Sequence, residues 1–250
     1  MTADDEAIEI VLRAPREVGA RLIALAAICR RGSLEEAAVQ RALGEEAEAE
    51  RFDWLAWLSE QELTSQLTEE ERRLLETPVG RLSRDDASTA TWSAEALVGL
   101  AWAAGLIPRL PAPTVAADPA AALSAIPQPW DDPAAFFAGI ALRPEEEIAV
   151  ERERAEVWRW RVEVEIDRRR ATGALRDEIE TDLRDTAAEA VAAGLLPHLV
   201  AGDFAVEERP VRALSEERLA AIASIVTQRL HALNWLCGFG QRWDDVPLDV

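Results

Sequence analysis

The chain has no lysine, so all 27 of its basic residues are arginine, and it carries only two cysteines and two histidines in 250 residues. Cys29 and Cys237 each lie in an apolar helical setting. They give no support to a disulfide framework or a cysteine-based zinc site, and they read as small core residues. His198 and His231 alone leave little room for histidine-based catalysis. No GxGxxG, GxxxxGK[ST], GxSxG, HExxH or CxxC pattern occurs, and no repeat of about 34 residues is present. No apolar run approaches the ~20 residues of a membrane span. The longest, "ALVGLAWAAGLI" from Ala96 to Ile107, reads as a buried helix. The opening "MTADDEAIEI" is acidic where a secretory signal needs positive charge, so a cytoplasmic location is expected.

What is present points to a packed domain. The sequence is 49% hydrophobic with nine tryptophans and five phenylalanines, which excludes wholesale disorder. A chain of this length buries roughly three-quarters of its unfolded surface. The formal charge of −20, from 47 acidic and 27 basic residues, opposes nucleic acid and anionic membrane as partners, because both bind clustered positive charge. It suits a basic protein partner. It serves equally well to keep a protein soluble and separate. Abundant alanine, arginine and glutamate without lysine are the marks of a high-GC bacterial genome.

Helical periodicity fills nearly every segment between turn signals, so the expected fold is a single all-α domain, 15–250, of about eight to ten helices. An acidic N-terminal segment, 1–14, precedes it and is expected to order only in part. The first helix begins near Pro15, turns Val18, Leu22, Leu25, Ala26 and Cys29 inward, and stops at Gly32. "SLEE" at Ser33 to Glu36 is a capping-box pattern that starts a second helix. Further helices follow over Ala47 to Leu63, after Thr68, and from about Asp85 to Gly105. Seven prolines between Ile107 and Pro133 predict an extended connection with one or two helical turns, held across the bundle by Trp130, Phe136 and Phe137. "VWRWRVEVEID" alternates like a strand at 157–167, yet its flanks are helix formers and Pro144 followed by three glutamates is a good helix start. A helix is expected there, with Trp158, Val162 and Ile166 on one face. Another helix runs from about Leu175 to Gly194, then a loop through "GDFAVEERPVRA". The final helix starts at Ser215, buries Leu219, Ile222, Ile225, Val226, Leu230 and Leu233, and ends in a glycine cap at Gly238 and Gly240.

Three groups of residues invite a chemical reading. His231 and Asn234 lie one turn apart, with Thr227 four residues before His231, and form either a polar notch for a ligand or, with Asp244 or Asp245 folding back, for a divalent metal, or else buried groups that fix the docking of "RWDDV". Asp244 and Asp245, adjacent in an extended tail, are a poor acid–base pair, and either is expected to accept from an arginine or a helix N-terminus while Trp243 anchors the tail. Glu95 is a carboxylate within an apolar helix and must be paired or functional, because an unpaired buried charge is very costly. Arg21 is the expected partner, and Glu17 is placed to pair with Arg21 along the same helix. No metal or cofactor site is expected.

The C-terminal stretch Arg229, His231, Ala232, Leu233, Asn234, Trp235, Leu236, Gly238, Phe239, Gly240, Trp243, Asp244, Asp245 and Val246 resembles the hallmark of an uncharacterised bacterial family, number 4272 among the domains of unknown function. "EVGARLIAL", with Glu17 and Arg21, adds to the resemblance. So do "WSAEALVGLAWAAGLI", with Trp92, Glu95, Trp102 and Gly105, and "ALRPEEEI", with Leu142 and Arg143. The family commonly carries an extra N-terminal segment and tends to end in "DT" where this chain reads "LDV", and Asp177 to Pro210 is longer than its pattern. The resemblance implies an all-helical domain and transfers no activity. Two functional readings stay open, with the missing catalytic set weighing against an enzyme. One is a non-catalytic binding or interaction protein with an acidic surface. The other is a small-molecule site or enzyme built from a notch of Arg21, Glu95, His231 and Asn234.

Overall fold

The computed structural model describes residues 10–41 and 44–248. Residues 1–9, most of the acidic N-terminal segment, lie outside them, while Val11 and Arg13 donate backbone hydrogen bonds to the carbonyls of Cys237 and Leu236. Helix α1, Pro15–Arg41, buries Val18, Leu22, Leu25, Ala26 and Cys29 as the periodicity requires. It does not stop at Gly32. Ser33 Oγ donates back to the Cys29 carbonyl instead of capping a new helix, and Arg31 pairs with Glu35 across the expected break. Gly32 answers to packing: a β-carbon there would lie 3.0 Å from the Thr91 backbone nitrogen. A glycine read as a helix stop is the point where two helices touch.

Helix α2, Gly44–Glu60, turns Trp54, Trp57 and Leu58 inward. Helices α3, Glu69–Glu76, and α4, Arg84–Ala103, both begin with reciprocal capping boxes, Thr68 with Glu71 and Ser83 with Asp86. Every residue of α4 from Glu95 to Ala103 is buried, which makes it the central helix of the larger core. The proline-rich connection carries two short helices, α5, Ala120–Ala125, and α6, Ala134–Gly139. Its irregular backbone needs acceptors satisfied from elsewhere. Arg143 donates to the Trp102, Ile107 and Pro108 carbonyls, Arg229 to those of Pro111, Ala112 and Val115, and Trp57 Nε1 to that of Asp131. Phe136 and Phe137 pack against the core, but Trp130 is 59% exposed. It occupies the third position of a Gln128–Asp131 turn with φ of +76° after Pro129, so the turn geometry directs its ring outward.

Helix α7, Glu145–Arg170, runs straight through 157–167, with three glutamates in its first turn and three arginines in its last. Trp158 and Val162 are buried, whereas Ile166 is 39% exposed, because the inward face continues through Arg161, Glu165 and Arg168. Helix α8, Ala174–Ala192, follows. The expected loop after it contains a three-stranded antiparallel sheet: β1, Leu199–Val200, β2, Asp203–Val206, and β3, Arg209–Pro210. Both hairpin turns, Ala201–Gly202 and Glu207–Glu208, have two residues with positive φ, the type I′ geometry that matches strand twist. Phe204 and Val206 point into the protein, and Phe204 meets the Trp158 ring edge-on at 5.2 Å.

Helix α9, Glu216–Leu236, starts at a Ser215 cap and joins two cores. Its first half gives Leu219, Ile222 and Val226 to a smaller core with α7, α8 and the sheet, and its second half gives Ala232, Leu233, Trp235 and Leu236 to the larger core of α1–α6. Among the described residues there are nine α-helices, and the chain is an essentially all-α domain. No described helix is long and apolar enough to cross a membrane.

Candidate functional site

Helix α9 ends where the sequence places its stop. Gly238 has φ of +86°, Phe239 N–H bonds back to the Asn234 carbonyl and Gly238 N–H to that of Trp235. This is a Schellman cap, and the carbonyls of Leu236 and Cys237 beyond it accept from the Arg13 and Val11 amides. Arg13 adds to it, with Nε donating to the Trp235 carbonyl at 2.7 Å and Nη2 to that of Gly240 at 2.7 Å. A side chain at Gly238 would meet the Val11 carbonyl at 2.7 Å, and one at Gly240 the Asp245 carbonyl at 2.8 Å. The chain then turns back through a 3₁₀ turn, Trp243–Asp245.

Trp243 lies over the side of the bundle. Its ring contacts His231 with centroids 4.5 Å apart and Trp235 at 5.4 Å, and the Arg21 guanidinium stacks on it at 3.9 Å. Arg21 is itself held by Glu71 in a two-pronged pair and by the Gln66 carbonyl at 2.7 Å. Glu71 also accepts from the Thr68 amide, so one carboxylate serves both a helix cap and a buried guanidinium. Asn234 is completely buried: its Oδ1 accepts from Arg152 Nε at 2.8 Å, and its Nδ2 donates to the Pro247 carbonyl at 2.9 Å. Asp245 pairs with Arg242 within the turn, and Asp244 is exposed.

Beside this tail is a cavity of about 320 Å³ with an apolar floor of Leu25, Ile28 and Leu74, polar walls including Ser93, Gln228, His231 and Trp243, and Glu70 and Asp244 at its mouth. Burial pushes the His231 imidazole down to about 4, helped by the nearby Arg21 charge. It is therefore neutral at pH 7 and far from the range in which a general base works best. At its mouth Asp244 is exposed, while Glu70 is paired with Arg73. Among the described residues, no group of three or more histidines, cysteines or carboxylates is arranged to hold a metal ion. The two thiols, Cys29 and Cys237, are buried and pushed up to about 11, chiefly by desolvation.

Glu95 does not pair with Arg21. It receives Arg229 Nε at 2.9 Å and Nη2 at 2.8 Å on one oxygen, and the Ala117 amide at 2.7 Å on the other. Arg21 turns instead to α3. Glu17 likewise pairs with Arg13 and not with Arg21. The four residues Arg21, Glu95, His231 and Asn234 thus occupy three settings. Arg21 and His231 flank Trp243, Glu95 ties α9 to the proline-rich connection through Arg229, and Asn234 ties α7 to the tail through Arg152. Glu71, Arg152 and the role of Arg229 do not stand out in the sequence. Their signal was weak, because an arginine or glutamate on an amphipathic helix looks the same whether it reaches inward or into water.

These features define a mostly helical protein with arginine-clamped irregular segments and a tail folded beside a polar cavity. The family described as a domain of unknown function (DUF4272) matches residues 3–184, and the chain belongs to it. The matched span runs through α1–α7 and into α8, so it ends before the Arg229–Val246 motif. No curated protein and no solved structure matches the chain.

Proposed function

We propose that this chain is a non-catalytic, cytoplasmic binding protein that receives a basic protein partner on an acidic exterior. The observation that carries the reading is how burial sorts the charges. Among the described residues, Arg21, Arg31, Arg51, Arg152, Arg161, Arg168 and Arg229 are buried, against only Glu35, Glu71, Glu95, Glu165 and Asp203. Folding therefore hides more positive than negative charge, and the exterior is more acidic than a net charge of −20 suggests. A surface of that sign speeds association with a cationic partner and makes the complex salt-sensitive. Asp244, exposed at the mouth of the His231 cavity beside the Glu70–Arg73 pair, offers such a partner a place for one arginine or lysine.

The test is native mass spectrometry of the protein isolated at its natural level from its source, at low and high salt. A stoichiometric basic protein that is released as salt rises supports the reading, and weaker capture by Glu70→Gln with Asp244→Asn would locate the contact. A bare 27.5 kDa monomer at every salt concentration would end it. The other reading, a small-molecule site or enzyme built from one notch of Arg21, Glu95, His231 and Asn234, is less favoured because Glu95 and Asn234 are held in separate hydrogen-bond networks.

A further inference from the structure

A second, smaller cavity of about 110 Å³ opens between α7, α8 and the β1–β2 turn, lined by Arg161, Arg168, Arg184 and Arg212 with Glu180 and Asp203. Four arginines around one small space stand out in so acidic a chain. Arg161 is completely buried. Its Nε and Nη2 donate to the two oxygens of Asp203 at 2.7 and 2.8 Å, and Nη2 also reaches Glu165 at 3.1 Å. Its Nη1 is buried without any acceptor. A buried charged donor left unmade is costly, and native proteins that show one commonly hold an unrecorded water or ion beside it.

The charges around it do not balance. Glu165 is shared by Arg161, Arg168 and Arg169, and Asp203 is shared by Arg161 and the Arg212 amide. Arg212 spends one guanidinium nitrogen on the Ala201 carbonyl at 2.5 Å, and Arg184, exposed on α8, has no partner among the described residues. Glu180 pairs with Arg168 at 3.0 Å, so Arg161, Arg168, Arg184 and Arg212 face the three carboxylates Glu165, Glu180 and Asp203, and one positive charge is left over.

We propose that this cavity is a binding site for one small oxyanion, a phosphate ion or the phosphoryl group of a compact ligand. Its volume of about 110 Å³ admits a tetrahedral oxyanion. Arginine forks present parallel N–H groups to such an ion, and a negative ligand would offset the local excess that a water molecule cannot. The site lies on the smaller core, away from the His231 cavity, and stands or falls independently of the binding reading above.

Isothermal titration with inorganic phosphate at constant ionic strength tests it, using the full chain, Arg184→Gln, Arg212→Gln and a control, Arg176→Gln, elsewhere on α8. Saturable one-to-one binding is expected for the wild type and the control. Arg184→Gln should bind about tenfold more weakly, the scale of one lost charge-assisted hydrogen bond, with an unchanged circular dichroism spectrum and melting temperature. Glycerol 3-phosphate in the same cell separates the sources: equal affinity assigns the site to a phosphate monoester, and binding of phosphate alone assigns it to the free ion. No saturable binding overturns the proposal. So does equal affinity in Arg184→Gln, which would place the ion elsewhere and leave Nη1 to water.

Discussion

The two cores, joined by α9, use arginine in different ways. In the larger core, buried arginines each take one carboxylate, Arg31 with Glu35, Arg51 with Glu48 and Arg229 with Glu95, and use their remaining donors on carbonyl oxygens where irregular backbone meets the bundle: Arg31 reaches those of Leu74, Thr77 and Pro78, Arg51 those of Leu75 and Glu76, and Arg229 those of the proline-rich connection. There the guanidinium replaces the secondary structure that prolines forbid. In the smaller core, Arg161, Glu165, Arg168 and Asp203 form a connected network of charges at the packed face of α7. Attraction in such a network is offset by desolvation, so it fixes orientation more than it adds net stability. One core is built on apolar filling with polar clamps at its rim, and the other on charge complementarity beside a small apolar cluster.

The largest effects should come from unbalancing each core in its own currency. Removing one member of the charge network, Glu165→Ala, should cost ~3–5 kcal/mol because three arginines lose their shared carboxylate, measured as a shift in urea midpoint. Replacing Arg161, Glu165 and Asp203 together by apolar residues of similar size should recover most of that loss. If the triple variant is worse than the single one, the network adds stability outright and the contrast fails. In the larger core, Trp235→Ala should cost a similar ~3–5 kcal/mol, but from the cavity it leaves. No second substitution of a charge would rescue it.

Acid separates the two cores. The His231 imidazole is neutral in the folded chain down to about 4, whereas the unfolded chain protonates it near 6.5. Between those values the unfolded state binds the extra proton. Stability is therefore complete above pH 6.5 and declines as the pH falls toward 4, by up to about 3 kcal/mol. Glu165 behaves in the other window. Burial works to raise it, but Arg168, Arg169 and Arg161 together hold it down to about 2, so its contribution is full above pH 4.5 and is lost as the pH falls through 2. Urea midpoints at pH 7, 6 and 5 should fall for the wild type and stay level for His231→Gln. A wild-type midpoint that is flat over that range would show the imidazole to be solvated.

The same contrast explains what was legible in the sequence. Apolar spacing found the inward faces of α1 and α9 residue by residue, and cap signals at Thr68, Ser215 and Gly238 placed helix ends, because those are local and depend on one residue type at one position. Ile166 is expected inward and is not, because Arg161 and Glu165 take the inner face, and periodicity cannot see a guanidinium whose partner, Asp203, is 42 positions away. The small sheet was hidden for a related reason. Its type I′ turns carry Ala-Gly and Glu-Glu instead of Asn-Gly, and strands of two to four residues are too short for an alternation to register. Of the candidate site, the tail docking through Trp243, His231 and Asn234 could be anticipated from the motif. The pairing of Glu95 with Arg229 could not, since several arginines were equally available by spacing.

Gly32 offers the smallest effect and the sharpest sign. If this mid-helix position faced solvent, alanine would cost nothing sterically and would stabilise by about 0.5–1 kcal/mol, the usual advantage of alanine over glycine inside a helix. In the contact seen between α1 and α4, the new methyl group meets backbone atoms of Ala90 and Thr91 at 3.0–3.1 Å. Backbone yields less readily than a side chain, so Gly32→Ala should instead destabilise by about 1–3 kcal/mol, the range for overpacking. Thr91→Ala would relieve the hydroxyl contact but leave the backbone contact untouched, so it should rescue little. A stabilised Gly32→Ala would mean that α1 and α4 can separate there without loss, and that the larger core is not packed on glycine contact at this crossing.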